Sequence, residues 1–293
     1  MTPPSHTIRV RLRGGLGNQL SCFYAGLFLS SFNPSRLVLD GRFIKFGGNV
    51  HRNLEIDKLD FEKQNTNLEF LREIPLPKSR IGMKLTRPLL DPIFKILTHA
   101  DKAQVINDDD SLHQRKIESD VILDGYFPRF DYFDACKERG LVNEVKILNP
   151  SASYLKAANQ VKNRVSVHIR MGDYLQHPEI YPILTNQYYE KALQRTCAGS
   201  EGYNIFAENF EEATLRYPEL FEKANEIYTK DDFSTAESFC LLANSFQIVT
   251  ANSSFSNWAA KFIDHKGGLV VCPEQMFKHN STDARPTNWL RIH

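Results

Sequence analysis

Short apolar runs alternate with longer helical patterns through the second half of the chain, and this alternation restricts the possible fold more than any other feature. The runs that predict strands are RVSVHIR, YNIFAE, NEIYT, FQIVTA and GGLVVCP, and a segment with helical spacing separates each from the next. Strands separated in this way favour a parallel sheet, because a parallel connection needs a long crossover. We therefore predict a doubly wound α/β domain here.

The first half begins with the same alternation. IRVRL, LSCFYAGLFLSSF and RLVLD predict a strand, a helix and a second strand, and AQVIN and SDVILDGYF predict two further strands. A length of 293 residues favours two domains. We predict an α/β fold with two Rossmann-like domains, residues 1–149 and 150–293, which face each other across a cleft.

The charge balance and the cysteines limit the classes of partner and the cellular location. Lys and Arg number 36 against 35 Asp and Glu, so the net charge of +1 gives no general attraction to nucleic acid. The longest apolar stretch, CFYAGLFL, is too short to cross a bilayer, and the N-terminal pattern is not that of a signal peptide. The five scattered cysteines never form a CxxC pair. Together these features predict a cytoplasmic protein with reduced thiols.

Three glycines lie between the first predicted strand and its helix, in the sequence RGGLGNQL. Backbone N–H groups in such a turn can bind an anion. A P-loop is excluded because the turn has no lysine. A dinucleotide fingerprint is closer, with Gly15, Gly17 and the strand-end Asp40, but Leu20 stands where the third glycine belongs. NAD binding and a purely structural turn both remain open, and neither explains the adjacent amides of Asn18 and Gln19.

The sequence VSVHIRMGDYL ends a buried-looking strand with His168, Arg170 and Asp173. Strand alternation places His168 and Arg170 on one face. Parallel sheets bind ligands at the carboxyl ends of their strands, and the planar fork of arginine suits a diphosphate. The alternative is that Arg170 pairs with Asp173 and closes a turn.

A second candidate anion site begins the helix in ANSSFSNWAAKF, directly after the strand FQIVTA. Asn252, Ser253 and Ser254 are residue types that cap helices, so they favour a simple N-cap. They would equally line a helix start that faces Arg170 and binds phosphate.

The acidic segment NDDDSL offers a competing chemistry. Asp108 and Asp110 form a DxD pattern after a predicted strand, and such carboxylates can chelate a divalent cation. The alternative is a solvated turn, in which Asp residues are common.

With these segments in view, the chain resembles the family 11 α-1,2-fucosyltransferases. The similar blocks are GGLGNQL, VILDGYFPRFDYF, VSVHIRMGDYL, LTNQYYEKAL, ANSSFSNWAAKF and NWLRI, in this order along nearly the whole chain. The resemblance implies a GT-B fold and metal-independent, inverting transfer of L-fucose from GDP-β-L-fucose, without a cofactor. The implied acceptor is a glycan hydroxyl, with galactose O2 expected, and a lipid-linked acceptor would bring peripheral membrane association.

The resemblance also implies roles for particular residues. Arg170 would bind the β-phosphate, and Asn18 would approach the donor from the N-terminal turn. The other residues implied at the donor site are Gly15, Gly17, Gln19, His168, Asp173, Glu208, Asn209, Glu237, Asn252, Ser253, Ser254 and Phe255. Glu208 and Asn209 stand where the family usually has Ser-Asp-Asp near guanosine, and Glu237 lies near an acid that binds the guanine edge.

One departure from the family pattern concerns the leaving group. Met171 replaces the second arginine of the usual H-x-R-R-G-D block. Charge develops on the departing diphosphate, so electrostatic stabilisation by Arg170 and helix-start amides is the expected main contribution to catalysis. We expect no strong general base, and His51, Asp40 and Asp124 are the only candidates that the predicted loops suggest.

Overall fold

The computed structural model describes residues 6–42, 44–45, 52–61, 68–72, 103–108, 111–279 and 283–293. The chain forms two compact units, one of Met1–Leu54 with Glu62–Val142 and one of Glu55–Phe61 with Asn143–His293. The division therefore falls after Val142, whereas the sequence placed it after Asn149. The short segment Glu55–Phe61 belongs to the second unit because Leu59 forms an antiparallel bridge with Ile147.

The first unit is built on a five-stranded parallel sheet. Its described elements are β1 His6–Arg11, α1 Leu16–Ser30, β2 Ser35–Asp40, β3 Leu68–Leu71, β4 Gln104–Ile106, β5 Val121–Leu123 and α2 Asp131–Glu138. The strand order is β3-β2-β1-β5-β4, and each neighbouring pair is parallel. The order reverses beside β1, so the glycine turn that follows β1 lies next to the end of β5.

The second unit is built on a six-stranded parallel sheet in the order β11-β10-β9-β6-β7-β8. Its strands are β6 Val165–Ile169, β7 Tyr203–Ala207, β8 Glu226–Thr229, β9 Gln247–Val249, β10 Val270–Pro273 and β11 Leu290–Ile292. Its helices are α3 Ala152–Val161, α4 Asn186–Thr196, α5 Phe210–Arg216, α6 Pro218–Glu222, α7 Thr235–Ala243 and α8 Ser254–His265, with 3-10 turns at Ile56–Lys58 and Gly172–Gln176.

The strand order of the sheet in the second unit is that of a Rossmann sheet, 3-2-1-4-5-6, when its strands are counted from β6. The predicted α/β fold with parallel sheets is confirmed in both units. The strand β11 was not predicted from the sequence. How the two units face each other stays a prediction.

The helix α1 packs on the first sheet at very short range. Most of its residues are buried, since it covers the sheet with one side and α2 with another, where Tyr24 meets Phe133 at a ring-centroid distance of 4.8 Å. Gly26 makes this approach possible: a Cβ there would lie 2.9 Å from Leu37 Cδ1 and closer still to Val10 Cγ2. A side chain at position 26 would therefore collide with the sheet.

The two faces of the central strand β6 have different neighbours. Val165, Val167 and Ile169 belong to a buried cluster that includes Tyr188 and Tyr189 of α4. The other face carries Ser166 and His168, and it leads to Arg170 at the strand end. The predicted alternation along this strand is confirmed, because its apolar residues fill the core of one face.

The start of α7 is fixed by a reciprocal cap. Ser234 Oγ accepts from the backbone N–H of Glu237, and the Glu237 carboxylate accepts from the backbone N–H of Ser234 at 3.0 Å. The second carboxylate oxygen accepts from the backbone N–H of Ser151 at 2.8 Å, so the cap also attaches the residue that precedes α3. Burial by itself would raise the pKa of Glu237, but the hydrogen bonds from Ser151 and Ser234 outweigh it and the pKa is lowered.

We expect Gly26→Ala to destabilise the protein. Alanine would gain about 1 kcal/mol in helix propensity, but overpacking against Val10 and Leu37 costs about 1–3 kcal/mol, so the free energy of unfolding in urea should fall. Val10→Ala should cost less in the Gly26→Ala background than alone, because it removes the colliding methyl group. A more stable Gly26→Ala variant would contradict this close packing.

We expect Glu237→Gln to cost about 1–3 kcal/mol of unfolding free energy at pH 7, because an amide replaces a carboxylate that accepts three hydrogen bonds. The pKa of Glu237 is lower in the folded protein than its ordinary value of 4.5, so the unfolded chain takes up a proton first as the pH falls. The stabilisation by the Glu237 carboxylate is therefore lost as the pH falls below 4.5 and through the lowered pKa. Urea unfolding of both proteins from pH 7 to pH 3 should show the difference shrinking. The exposed Glu222→Gln variant should show neither effect.

Candidate functional site

The order of strands in the second unit creates a site at one edge of its sheet. After β6 the chain continues to β7 and β8 on one side, and then crosses to β9 on the other side of β6. Ligands of such sheets bind outside the carboxyl ends of the two strands where the order reverses. Here those ends lead to Arg170 after β6 and to Asn252–Phe255 after β9. The structure thus brings together the two segments that the sequence proposed as anion sites.

Arg170 is held from two sides. Its Nη1 donates to the Glu208 carboxylate, which follows the neighbouring strand β7, and its Cζ lies 5.3 Å from the centroid of the Tyr174 ring. Its side chain is 15% exposed. The result is an oriented guanidinium at the edge of the sheet, in contact with solvent on one side. Asp173 lies in the 3-10 turn Gly172–Gln176, and its predicted role stays a prediction.

His168 lies in β6, two residues before Arg170 and on the same face, and it is almost fully buried. Its ring is 5.5 Å from that of Phe255 in the first turn of α8. Burial, together with the charge of Arg170, lowers the pKa of His168 to about 3. The imidazole is therefore neutral at neutral pH. Its Nδ1 is buried and has no hydrogen-bond partner among the described residues.

The start of α8 is fixed to the loop that follows Arg170. Asn252 is buried, its Nδ2 donates to the Pro182 carbonyl at 2.8 Å, and its own carbonyl accepts from Tyr174 Oη at 3.1 Å. Ser253 is the N-cap, and its Oγ accepts from the backbone N–H of Phe255 at 3.3 Å. Ser254 is exposed. The first turn contains no acidic residue, which leaves the positive end of the helix without an internal carboxylate.

The three residues expected around guanosine occupy different surroundings. The Glu208 carboxylate accepts a hydrogen bond from Arg170. Asn209 precedes α5, and its Nδ2 donates to Glu212 Oε2 at 3.3 Å. Glu237 accepts hydrogen bonds from Ser151 and Ser234 through both carboxylate oxygens, so it forms part of the α7 cap. Its predicted contact with guanine stays a prediction.

The glycine turn of the first unit has a well-defined internal structure. Gly14 has a φ of +65°, and the side chain of Asn18 folds over it so closely that a Cβ on Gly14 would collide with Nδ2. Gly15 precedes α1 as its N-cap, and Gly17 is buried. Gln19 is fully buried and donates to the carbonyls of Gly14 at 3.1 Å and Asn53 at 2.8 Å. The amide of Gln19 therefore shapes the turn, and its predicted role at the donor site stays a prediction.

Arg52 lies near this turn and was not predicted from the sequence as a site residue. A Cβ on Gly15 would lie 3.7 Å from Arg52 Nη1, so a guanidinium is close to the start of α1. Tyr174, which lies against Arg170, was missed as well. Neither belongs to a recognisable pattern: Arg52 is in a segment with weak periodicity, and Tyr174 follows the strand as one of several tyrosines.

The acidic residues proposed for other chemistries have partners in the fold. Asp40 is buried, and its two oxygens accept from Arg42 at 2.9 and 2.7 Å, which removes it as the ribose-binding acid of a dinucleotide site. Asp124 accepts from Arg11 at 2.5 Å and also from Arg13. Asp108 accepts from the backbone N–H of Phe127 at 2.7 Å.

The predictions for His51 and Asp110 fall outside the described residues. Within the described ranges, no three His, Cys, Asp or Glu side chains are grouped as metal ligands. The same part of the chain contains no helix long and apolar enough to span a membrane.

Two proteins of Escherichia coli are similar to the chain over almost its whole length. An alpha-1,2-colitosyltransferase is 27% identical over 96% of this chain and 97% of its own length. The O-antigen biosynthesis glycosyltransferase WbnK is 23% identical over 96% of this chain and 99% of its own length.

Solved structures of glycosyltransferases share the fold. A glycosyl transferase family 9 protein from Veillonella parvula matches with a TM-score of 0.53 at 12% identity, over 100% of this chain and 86% of that one. POFUT1 in complex with GDP matches with a TM-score of 0.50 at 10% identity, over 99% of both chains. These likenesses extend over both units, and they confirm the predicted fold class.

The family model "Glycosyl transferase family 11" matches residues 153–293, which include Arg170, Glu208 and the Asn252–Phe255 segment. This agrees with the resemblance found in the sequence motifs. Over residues 153–293, the chain is therefore similar to glycosyl transferase family 11.

Proposed function

We propose that the protein is an inverting α-1,2-glycosyltransferase that moves L-fucose from GDP-β-L-fucose to a glycan hydroxyl, with galactose O2 as the expected position. The observation that carries this proposal is the meeting of Arg170 and the start of α8 at the adjacent ends of β6 and β9. The match of residues 153–293 to the family 11 model and the 27% identity to an alpha-1,2-colitosyltransferase support the reaction type. The donor follows from the fucosyltransferase motifs in the sequence.

The chemistry that this site would supply is stabilisation of the leaving group. When the bond from the sugar to the β-phosphate breaks, positive charge develops on the sugar and negative charge on GDP. Arg170 would offer two N–H groups to the β-phosphate, and the N–H groups of the first turn of α8, with the exposed Ser254 hydroxyl, would face the same diphosphate. His168 would remain a neutral hydrogen-bonding group at any pH near 7.

The residue after Arg170 limits how much charge the site has. Met171 is 2% exposed and belongs to the apolar cluster under β6, so its side chain packs in the core. Position 171 therefore does not supply the second positive charge that the usual family motif has. We propose that Arg170 and the α8 start stabilise the departing diphosphate, while Asn18, Gly15 and Gly17 approach the donor from the first unit.

We further propose that catalysis needs neither a metal ion nor another cofactor. Arg170 and the helix N-terminus can give the diphosphate the positive charge that a divalent cation gives elsewhere. The rival hypothesis uses Asp108 and Asp110 as metal ligands. Asp108 already accepts a hydrogen bond from Phe127, so metal binding would have to compete with that contact.

The donor sugar has a second candidate, because one of the similar proteins is named a colitosyltransferase. Colitose is L-fucose without the 3-hydroxyl group, so a site for one sugar resembles a site for the other. A glycan of an O-antigen type is the first acceptor class to test, since the other relative is named for O-antigen biosynthesis. Cytoplasmic location and peripheral association with a lipid-linked acceptor stay predictions.

We expect Arg170→Ala to weaken the binding of GDP-fucose by about 2–4 kcal/mol, because a charged contact to phosphate is lost. Calorimetric titration in the presence of chelator measures this directly, and the rate of fucose transfer should fall with it. Arg195→Ala removes the same charge from an exposed position on α4 and should leave both quantities unchanged. Equal binding by wild type and Arg170→Ala would refute the donor site.

We expect transfer activity to persist in excess EDTA, because the proposed site uses Arg170 and backbone N–H groups in place of a metal ion. The measurement is the initial rate of transfer with and without chelator, followed by addition of Mg²⁺ or Mn²⁺. Loss of activity in EDTA, recovered by one of these cations and abolished in Asp108→Asn, would instead support the metal-dependent hypothesis.

A further inference from the structure

The side chain of Glu208 occupies the place on Arg170 where the donor diphosphate would bind. We infer that Glu208 is an exchangeable counter-ion: it neutralises Arg170 in the donor-free enzyme and is displaced when the diphosphate arrives. This inference rests on the proposed function, because it assumes that Arg170 binds the β-phosphate. It assigns Glu208 a role in setting donor affinity and GDP release, which differs from the guanosine contact that the resemblance implied.

The register of the sheet places the two residues side by side. Ile169 in β6 pairs with Ala207 in β7, and the next residue of each strand is Arg170 and Glu208. Parallel neighbours that end at the same level project their following residues over the same edge. The ion pair therefore follows from the sheet itself, and it forms at the carboxyl end where a ligand belongs.

The two partners are held to different degrees. Arg170 is 15% exposed and lies against the Tyr174 ring, whereas the Glu208 side chain is 40% exposed. The carboxylate lies over Gly172, where a Cβ would be 3.4 Å from Oε2. The guanidinium is thus the fixed member, and the glutamate is the one with room to leave toward solvent. Tyr174 keeps Arg170 in position through this exchange.

A carboxylate and a phosphate are competing ligands for one guanidinium. Both accept charge-assisted hydrogen bonds from the same N–H groups, and two anions on the same side repel each other. Glu208 occupies Nη1 of Arg170, so a donor phosphate that binds to this nitrogen must open the Arg170–Glu208 pair. When a ligand binds only to the open form of the pair, its apparent affinity is the intrinsic affinity multiplied by the fraction of protein in that form. An ion pair that is closed for about 90% of the time therefore weakens binding about tenfold. The same contact would help expel GDP after transfer.

The decisive experiment compares the affinity for GDP of wild type, Glu208→Gln and Glu211→Gln by calorimetric titration. Glu211 is exposed in the first turn of α5, so its variant removes one negative charge near the site without touching the ion pair. We expect Glu208→Gln to bind GDP about 3- to 10-fold more tightly and to show stronger product inhibition by GDP. Glu211→Gln should remain within about twofold of wild type.

Two further measurements separate competition from a structural effect. The gain should be absent for GMP, which lacks the β-phosphate, and absent when Glu208→Gln is combined with Arg170→Ala. Equal or weaker GDP binding by Glu208→Gln would overturn the inference and make Glu208 a positioning residue for Arg170. If wild type binds no GDP at all, the proposed function itself fails, and the inference fails with it.

Discussion

The placement of one positive charge at a nearly buried strand end is the constraint on which the rest of the site depends. A guanidinium in this position must be oriented and neutralised, since an uncompensated charge near a core is costly. The Glu208 carboxylate, which follows the neighbouring strand, neutralises the guanidinium, and the Tyr174 ring helps to orient it. Under the proposed function, the carboxylate that neutralises Arg170 also occupies Nη1, one of the donors that a phosphate would use. Stability of the donor-free state and affinity for the diphosphate would then be opposed at this residue.

The loop that follows Arg170 is fixed by hydrogen bonds to the start of α8. Asn252 donates to Pro182 and accepts from Tyr174, so the segment after β6 and the helix after β9 form one connected edge. Tyr174 stacks on Tyr181 with a centroid distance of 3.9 Å, which stiffens the loop further. A rigid edge suits leaving-group stabilisation, because preorganised donors need no rearrangement when charge develops. Asn252, one of the predicted binding residues, contributes to this rigidity through both of its hydrogen bonds.

Acidic residues at strand ends of the first unit are neutralised by neighbouring arginines. Asp40 is paired with Arg42, and Asp124 with Arg11 and Arg13. Each of these carboxylates would have to give up its arginine contacts before it could accept a proton from a substrate hydroxyl.

The sequence by itself determined the fold class and the residue types of the site, because alternation of strands and helices and the position of Arg170 after a strand are local properties. It also indicated where α8 begins, since Asn252, Ser253 and Ser254 are residue types that cap helices. Tertiary structure alone decided the partners. Glu208 meets Arg170 across 38 residues, and Glu237 meets Ser151 across 86, because sheet order and strand register bring distant segments together. Local periodicity specifies that a strand exists and not which strand lies beside it, so the sequence could name Arg170 and Glu208 but not their pairing.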